Sequence, residues 1–218
     1  MNEDTIAIFP LPNVVFFPHT RLPLHIFEPR YCEMVKQALA NHQSIGMFVL
    51  EPGWEQDYYG NPEIYPVGCA GEIVQVEALE NGKYNIVLQG LYRARAIEEV
   101  QHTPFRMARV EVLPEGLAGE KETLQQAGNN LLANFRKLCK ESGSLDTGLI
   151  EGAGDPIEIV NNIAMHLPLD LQVKLELLLE DSLRSRASLL EKIISKQLAM
   201  FRWVKQYRRL RPSDPSVN

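Results

Sequence analysis

Three side chains able to hold a soft metal fall within fourteen residues of one another: His19, His25 and Cys32. Nitrogen and sulfur ligands of this kind suit zinc, but a closed zinc site takes four. No fourth ligand lies nearby, and His25 falls in an expected strand while Cys32 falls in the helix after it. No metal site is expected. The other histidines, His42, His102 and His166, sit in unrelated contexts, with no nucleophile and base in recognisable spacing. The chain has no GxxxxGK[ST] phosphate loop, no GxGxxG, no GxSxG, no HExxH and no SxxK. No catalytic residue and no cofactor is expected. Cys32, Cys69 and Cys139 are an odd number without CxxC spacing, which fits reduced, buried thiols better than a disulfide framework.

What remains is chemistry of contact. Glu28, Arg30 and Tyr31 cluster where a strand should turn into a helix. Arg30 has the planar fork that binds carboxylate or phosphate bidentately, so Glu28 and Arg30 are a possible polar anchor. The plainer reading pairs the two charges to brace the corner, and it is favoured. Trp54, Tyr58, Tyr59 and Tyr65 lie on an irregular stretch between two expected strands. Aromatic rings there offer large apolar area at low entropy cost, and are read as candidate peptide-binding residues. The alternative is that the loop folds back and buries them. The segment Phe201–Arg211 interleaves five basic residues with Phe201, Trp203 and Tyr207. Such a mixture can bind nucleic acid or a membrane surface, but on a helix Phe201 and Val204 continue a core stripe and the cations meet the helix dipole.

The elements that must position these residues fall into two kinds. Thr5–Phe9, Leu22–Ile26, Ile45–Leu50, Val67–Gly90, Leu91–Ala96 and Phe105–Leu113 read as strands or strand pairs. Asn81-Gly82 is the hairpin cue, because both residues tolerate positive φ. Pro29 suits a first helical turn, with Tyr31, Met34, Val35, Ala38 and Leu39 on one face. After Pro114 the apolar period lengthens. A helix is expected over about 120–141, a loop over Ser142–Gly154, a helix capped by Asp155, and another capped by Asp170. A long final helix is striped by Leu183, Ala187, Leu190, Ile194, Phe201 and Val204. The reading is an α+β chain: residues 1–115 β-rich, 116–211 helical, 212–218 a disordered tail.

Hydrophobic residues make up 45% and charged residues 23% of the 218, enough to bury a core. The charge is uneven. Residues 1–115 hold 8 Lys/Arg against 15 Asp/Glu, whereas 201–218 hold 5 against 1. A body this acidic repels phosphate backbones, so nucleic acid is disfavoured as a partner except at the tail. No apolar run is long enough to span a membrane, and the acidic start is the reverse of a signal peptide, so a cytoplasmic location is expected.

The stretch Ile8-Phe9-Pro10-Leu11-Pro12-Asn13-Val14-Val15-Phe16-Phe17-Pro18, followed by Leu22-Pro23-Leu24-His25-Ile26-Phe27-Glu28-Pro29-Arg30-Tyr31, resembles the opening of the N-terminal domain of Lon proteases, a domain type that also occurs in cereblon. Val67-Gly68, Glu72-Ile73, Gly82–Asn85, Gln89-Gly90, Arg93 and Arg95 resemble its hairpin region. Pro168-Leu169, Lys174, Leu177-Leu178 and Glu180 resemble its helical end. The resemblance covers about residues 5–200. It implies a PUA-like β pseudo-barrel followed by a helical bundle, and a part in substrate recognition rather than chemistry. The ATPase and Ser-Lys protease domains that follow in full-length Lon are not in this sequence. The expected partners are unfolded or peptide segments of other proteins, with a separate protease or ATPase possible and the oligomeric state open. RNA binding through the barrel and the basic tail is the alternative.

Overall fold

The computed structural model describes residues 3–115, 121–143 and 153–210. The expected 212–218 tail and most of the Ser142–Gly154 loop lie outside them. Six strands, β1 (Glu3–Leu11), β2 (Arg21–Ile26), β3 (Ile45–Val49), β4 (Val67–Ala78), β5 (Tyr84–Gln101) and β6 (Met107–Leu113), form one sheet in the order β2-β5-β4-β3-β1-β6. A further β5–β6 pairing closes five of them into a ring and leaves β2 outside it, on the first half of β5. Only β1 and β3 run parallel; the other neighbours are antiparallel. This is the expected α+β pseudo-barrel with helices after it.

Leu91–Ala96, read from the sequence as a strand of its own, is instead the middle of one 18-residue β5. The chain needs no turn there because β5 bends within the sheet, where register shifts interrupt its pairing with β4 and β6. Gly71 and Gly90 face each other at one such shift. A Cβ on Gly90 would sit 2.2 Å from the carbonyl oxygen of Phe17, so only glycine lets the Phe17–Thr20 segment cross so closely. The expected hairpin is present. Asn81 and Gly82 take φ of 63° and 72°, within a short 3-10 turn that joins β4 to β5.

Helix α1 (Pro29–Asn41) starts on its proline as expected and buries Tyr31, Cys32, Met34, Val35 and Ala38 against the barrel. Burying each of the larger of these contributes about 1.5–3 kcal/mol. Leu39, expected on that face, is half exposed at the helix's rim. The helical half comprises α2 (Lys121–Ser142), α3 (Pro156–His166), α4 (Leu171–Leu179) and α5 (Leu183–Leu210). The Asp155 side chain accepts from the backbone N–H of Ile157 at 2.7 Å, as an N-cap should. Asp170 occupies the N-cap position of α4 but makes no side-chain cap bond. Along α5, Leu183, Ala187, Leu190, Ile194 and Leu198 are buried, whereas Phe201 and Val204, expected to prolong that stripe, are exposed and half-buried. The bundle beneath α5 ends before they are reached.

One hydrophobic cluster is shared by the strands and the helices that follow them. Val15, Phe17, Val49, Val67 and Leu113 pack with Phe135, Ile159, Ile163, Leu178, Leu190 and their neighbours. An ionic clasp crosses the same boundary. Arg93 of β5 is fully buried and donates through Nε to Glu115 at 2.6 Å. Its other nitrogens reach the carbonyls of Leu178 (3.0 Å), Glu180 (3.3 Å) and Pro114 (3.3 Å), and the Asp181 carboxylate (3.1 Å). Glu115 also receives Arg186 of α5, itself fully buried and bonded to Asn161 of α3 at 2.9 Å. One carboxylate thus sits between two buried guanidiniums. Burial pulls the Arg186 guanidinium below its ordinary pKa, and Glu115 pulls it back up.

Candidate functional site

Strand β2 reads RLPLHI. Its alternation turns Leu22, Leu24 and Ile26 inward and Arg21, Pro23 and His25 to solvent. Register with β5 and β4 then builds cross-strand rows on the outer face. One is Arg21, Gln89 and Glu72; the next is Pro23, Val87 and Gln75; the third is His25, Asn85 and Glu77. In the third, His25 Nδ1 lies 2.8 Å from Asn85 Oδ1, and Asn85 Nδ2 donates to Glu77 Oε2 at 2.8 Å. An amide oxygen only accepts, so His25 donates through Nδ1. In the first row Arg21 Nε donates to Gln89 Oε1 at 3.2 Å.

A groove of about 400 Å³ runs over the second and third rows, lined by Pro23, His25, Gln75, Glu77, Asn85 and Val87 among others. Phe27 stacks on His25 with ring centroids 5.9 Å apart and borders this groove, yet is 59% exposed. Val76, also in the lining, is half exposed. The groove therefore offers an apolar strip, Pro23 and Val87, beside a row of amide, imidazole and carboxylate groups. That combination suits an extended chain with apolar side chains and a backbone to satisfy. It contains no nucleophile set against a base.

Of the contact residues singled out in the sequence, Glu28, Arg30, Trp54, Tyr58, Tyr59 and Tyr65, none lines the groove. Glu28 follows Phe27 directly. The Arg30 guanidinium donates to Glu28 at 3.1 Å and reaches the Tyr58 carbonyl at 3.5 Å, between the rings of Tyr31 (4.6 Å) and Tyr58 (5.4 Å). The Tyr58 hydroxyl donates to the other Glu28 oxygen at 2.7 Å. These bonds pin the aromatic loop to the start of α1. Burial, then the Glu28 contact, raises the Tyr58 hydroxyl above its usual pKa; burial pushes that of Tyr31 up to about 12. Trp54 and Tyr59 pack edge-on against Tyr58 at 5.7 and 5.1 Å, and Tyr59 is 88% exposed. Tyr65 stands apart from the other three, half-buried against the helical core.

His19, His25 and Cys32 go separate ways. Cys32 is buried with its thiol toward the Ile26 carbonyl, and His25 is held by Asn85. Among the described residues no group of His, Cys, Asp or Glu is placed to hold a metal, and no helix is long and apolar enough to cross a membrane. Sequence reasoning missed Phe27 and the row His25, Asn85 and Glu77. The alternation in β2 was enough to send His25 outward; its partners depended on a register that the sequence does not display.

The family model for the ATP-dependent protease La (LON) substrate-binding domain matches residues 5–196. The chain belongs to the Lon substrate-binding domain family. Among relatives, Lon protease 2 of Myxococcus xanthus is 28% identical over 197 residues, which is 89% of this chain but 24% of that protein. Lon protease 2 of Desulfotalea psychrophila is 29% identical over 88% of this chain and 25% of its own length. The chain thus spans about a quarter of the Lon proteases it matches. The Lon N-terminal domain protein of Xanthomonas campestris superposes with a TM-score of 0.59 at 21% identity, covering 88% of this chain and 98% of that one. The N-terminal domain of the Mycobacterium avium complex Lon protease gives 0.68 at 13% identity, with the same coverage. At such identities the likeness speaks for the Lon-domain fold, and the match found is to the substrate-binding domain alone.

Proposed function

We propose that this Lon-family domain is a non-catalytic polypeptide-binding module, and that it holds extended, partly apolar segments along one surface strip. Its members are the Pro23–Val87 groove, Phe27 stacked on the groove's His25, and Tyr59 and Trp54 on the loop that Tyr58 ties to Glu28. The observation that carries the reading is Phe27, a large ring 59% exposed that stacks on His25 of the groove and precedes Glu28, the residue that holds the aromatic loop. Glu28, Arg30 and Tyr58 act as the brace that presents the loop rather than as ligands themselves. The strip is an open surface, so binding is graded by apolar content and not by one sequence. In the cytoplasm such a module acts as an adaptor, holding unfolded segments for a separate ATPase or protease.

The test is fluorescence anisotropy of a labelled, permanently unfolded polypeptide titrated with the protein. Truncating a buried aromatic anchor costs about 2 kcal/mol, or some thirtyfold in affinity. Phe27→Ala and the pair Trp54→Ala/Tyr59→Ala should each weaken binding by tenfold or more. Single-stranded RNA should not compete. Equal affinity in wild type and variants removes the strip from the account, and displacement by RNA would favour the nucleic-acid alternative.

A further inference from the structure

Strand β4 outruns its neighbour on one side. β5 pairs with it from Val67 to Ala78, but β3 pairs with it only from Cys69 to Gly71. Among the described residues nothing else pairs with Glu72–Ala78, so that stretch has a free edge. Proline or lysine commonly blunts such an edge. The outer edge of β2 carries Pro23, whereas Glu72–Ala78 reads EIVQVEA and carries neither. A bulge at Val74 lies near its start, and beyond it the ladder is regular to Ala78.

The backbone of this edge is set to bond outward. The Leu79 N–H donates to the Lys83 carbonyl at 2.9 Å, so Leu79 faces β5. Alternation along an antiparallel ladder then turns Glu77 and Gln75 toward β5, and Val76 and Ala78 toward the free edge. The side chains sort by face as well. Register groups Ile73, Val76 and Ala78 with Leu88, Ile86 and Tyr84, and Glu72, Gln75 and Glu77 with Gln89, Val87 and Asn85. Val74 and Val76 are 41% and 47% exposed. Beside Ile73 a cleft of about 250 Å³ opens toward the end of α1, at Ala38, Leu39 and His42. Glu72, Glu77 and Glu80 are all exposed, and the bond from the Asn85 amide leaves the Glu77 charge in place.

We propose that the free edge of β4 takes an extended segment of another protein as an added antiparallel strand, and that it favours segments in which basic and apolar residues alternate. This rests on the polypeptide-binding reading above and adds how the backbone is held, since Gln75 and Glu77 also line the groove. Bonded residues of an antiparallel pair lie directly opposite and share a face. The guest residues bonded to Val76 and Ala78 therefore fall on the Ile73 face, where apolar side chains find Ile73 and Val76. The guest residues between them fall on the face of Glu72 and Glu77, where a basic side chain meets opposite charge. Main-chain bonds supply affinity and the two faces supply selectivity.

The probe is a labelled peptide of about eight residues alternating lysine and valine, long enough to span Glu72–Ala78 and read by fluorescence anisotropy with the full chain. N-methylation of its valine amides deletes the donors that face β4 and should weaken binding by about tenfold or more; N-methylation of its lysine amides should leave binding within about twofold. Replacing its lysines by glutamate should also cost about tenfold, and Glu72→Lys/Glu77→Lys should reverse that order. On binding, hydrogen exchange should slow at the Val76 and Ala78 amides but not at Gln75 and Glu77, which already face β5. Equal binding of the two methylated peptides, loss on lysine methylation alone, or unchanged exchange at Val76 and Ala78 overturns strand addition. So does exchange there that slows with protein concentration alone, which makes a second copy the occupant. Equal binding of the lysine and glutamate peptides overturns the basic preference. The unfolded polypeptide of the preceding test separates the two readings. If it binds and loses affinity in Phe27→Ala, a failure here removes strand addition alone; if it does not bind, the polypeptide reading falls as well.

Discussion

Glu115 is the position at which a one-atom change should do most damage. The substitution Glu115→Gln keeps the shape of the side chain and removes the carboxylate shared by Arg93 and Arg186, both fully buried. Two guanidiniums then face each other without a carboxylate between them. Arg93 keeps its carbonyl acceptors and Asp181, but Asp181 is 67% exposed and offsets little. Among the described residues, Arg186 Nε and Asn161 Nδ2 have no hydrogen-bond partner, so the network has no slack to absorb the loss. Removing one member of a buried ion pair costs about 3–5 kcal/mol. Set against a typical folding stability of about 5–15 kcal/mol, that is a large fraction. At this chain length it corresponds to a fall in Tm of roughly 10 °C. Urea unfolding followed by circular dichroism measures it, with Glu98→Gln as the control. Glu98 pairs with Arg109 on the exposed face of the barrel at 2.9 Å, where a pair contributes at most about 1 kcal/mol. If Glu115→Gln shifts the midpoint no more than Glu98→Gln does, the clasp does not hold the two halves together and the reasoning fails.

Two further outcomes follow from single side chains. Asp155→Ala deletes the N-cap of α3 and should lower stability by about 1 kcal/mol, whereas Asp170→Ala, which loses no side-chain cap bond, should change it by clearly less; thermal melts of the two variants compare them. The Tyr31 hydroxyl titrates near 12 when folded and at the ordinary 10.0 when unfolded. Its contribution to stability is therefore complete below pH 10 and is lost as pH rises from there toward 12, because only the unfolded chain readily gives up the proton. Unfolding curves across that alkaline range, followed by phenolate absorbance, should fall less steeply for Tyr31→Phe than for the wild type.

The outline of the fold was legible because its signals are local. Pro29 and Asp155 start helices through their own φ and side chain, and Asn81-Gly82 adopts the positive φ its residue types permit. What misled was a boundary with no local mark. Nothing near Leu91 separates a turn from a bend, and β5 runs on because Gly71 and Gly90 let the sheet curve without breaking. Phe201 was misplaced for a related reason. A helical stripe can be extended on paper indefinitely, but only the length of the helices beneath it decides where burial ends.

The same distinction bears on the proposed binding surface. Arg30 and the aromatic loop attract notice because charged and aromatic residues stand out in a polar stretch, yet most of that chemistry is turned inward. Arg30 spends its donors on Glu28 and the Tyr58 carbonyl, and Tyr58 spends its hydroxyl on Glu28. Phe27 carries no such signal, since a phenylalanine between Ile26 and Glu28 reads as one more buried residue of the strand. It is exposed because it continues the outward series of Arg21, Pro23 and His25, one residue past the end of β2 and just where α1 turns away. An apolar ring left outside at a junction braced by an ion pair, a hydroxyl and two tyrosine faces is held there by the fold. The brace fixes the corner from which that ring projects, which is why the proposed binding strip is centred on Phe27.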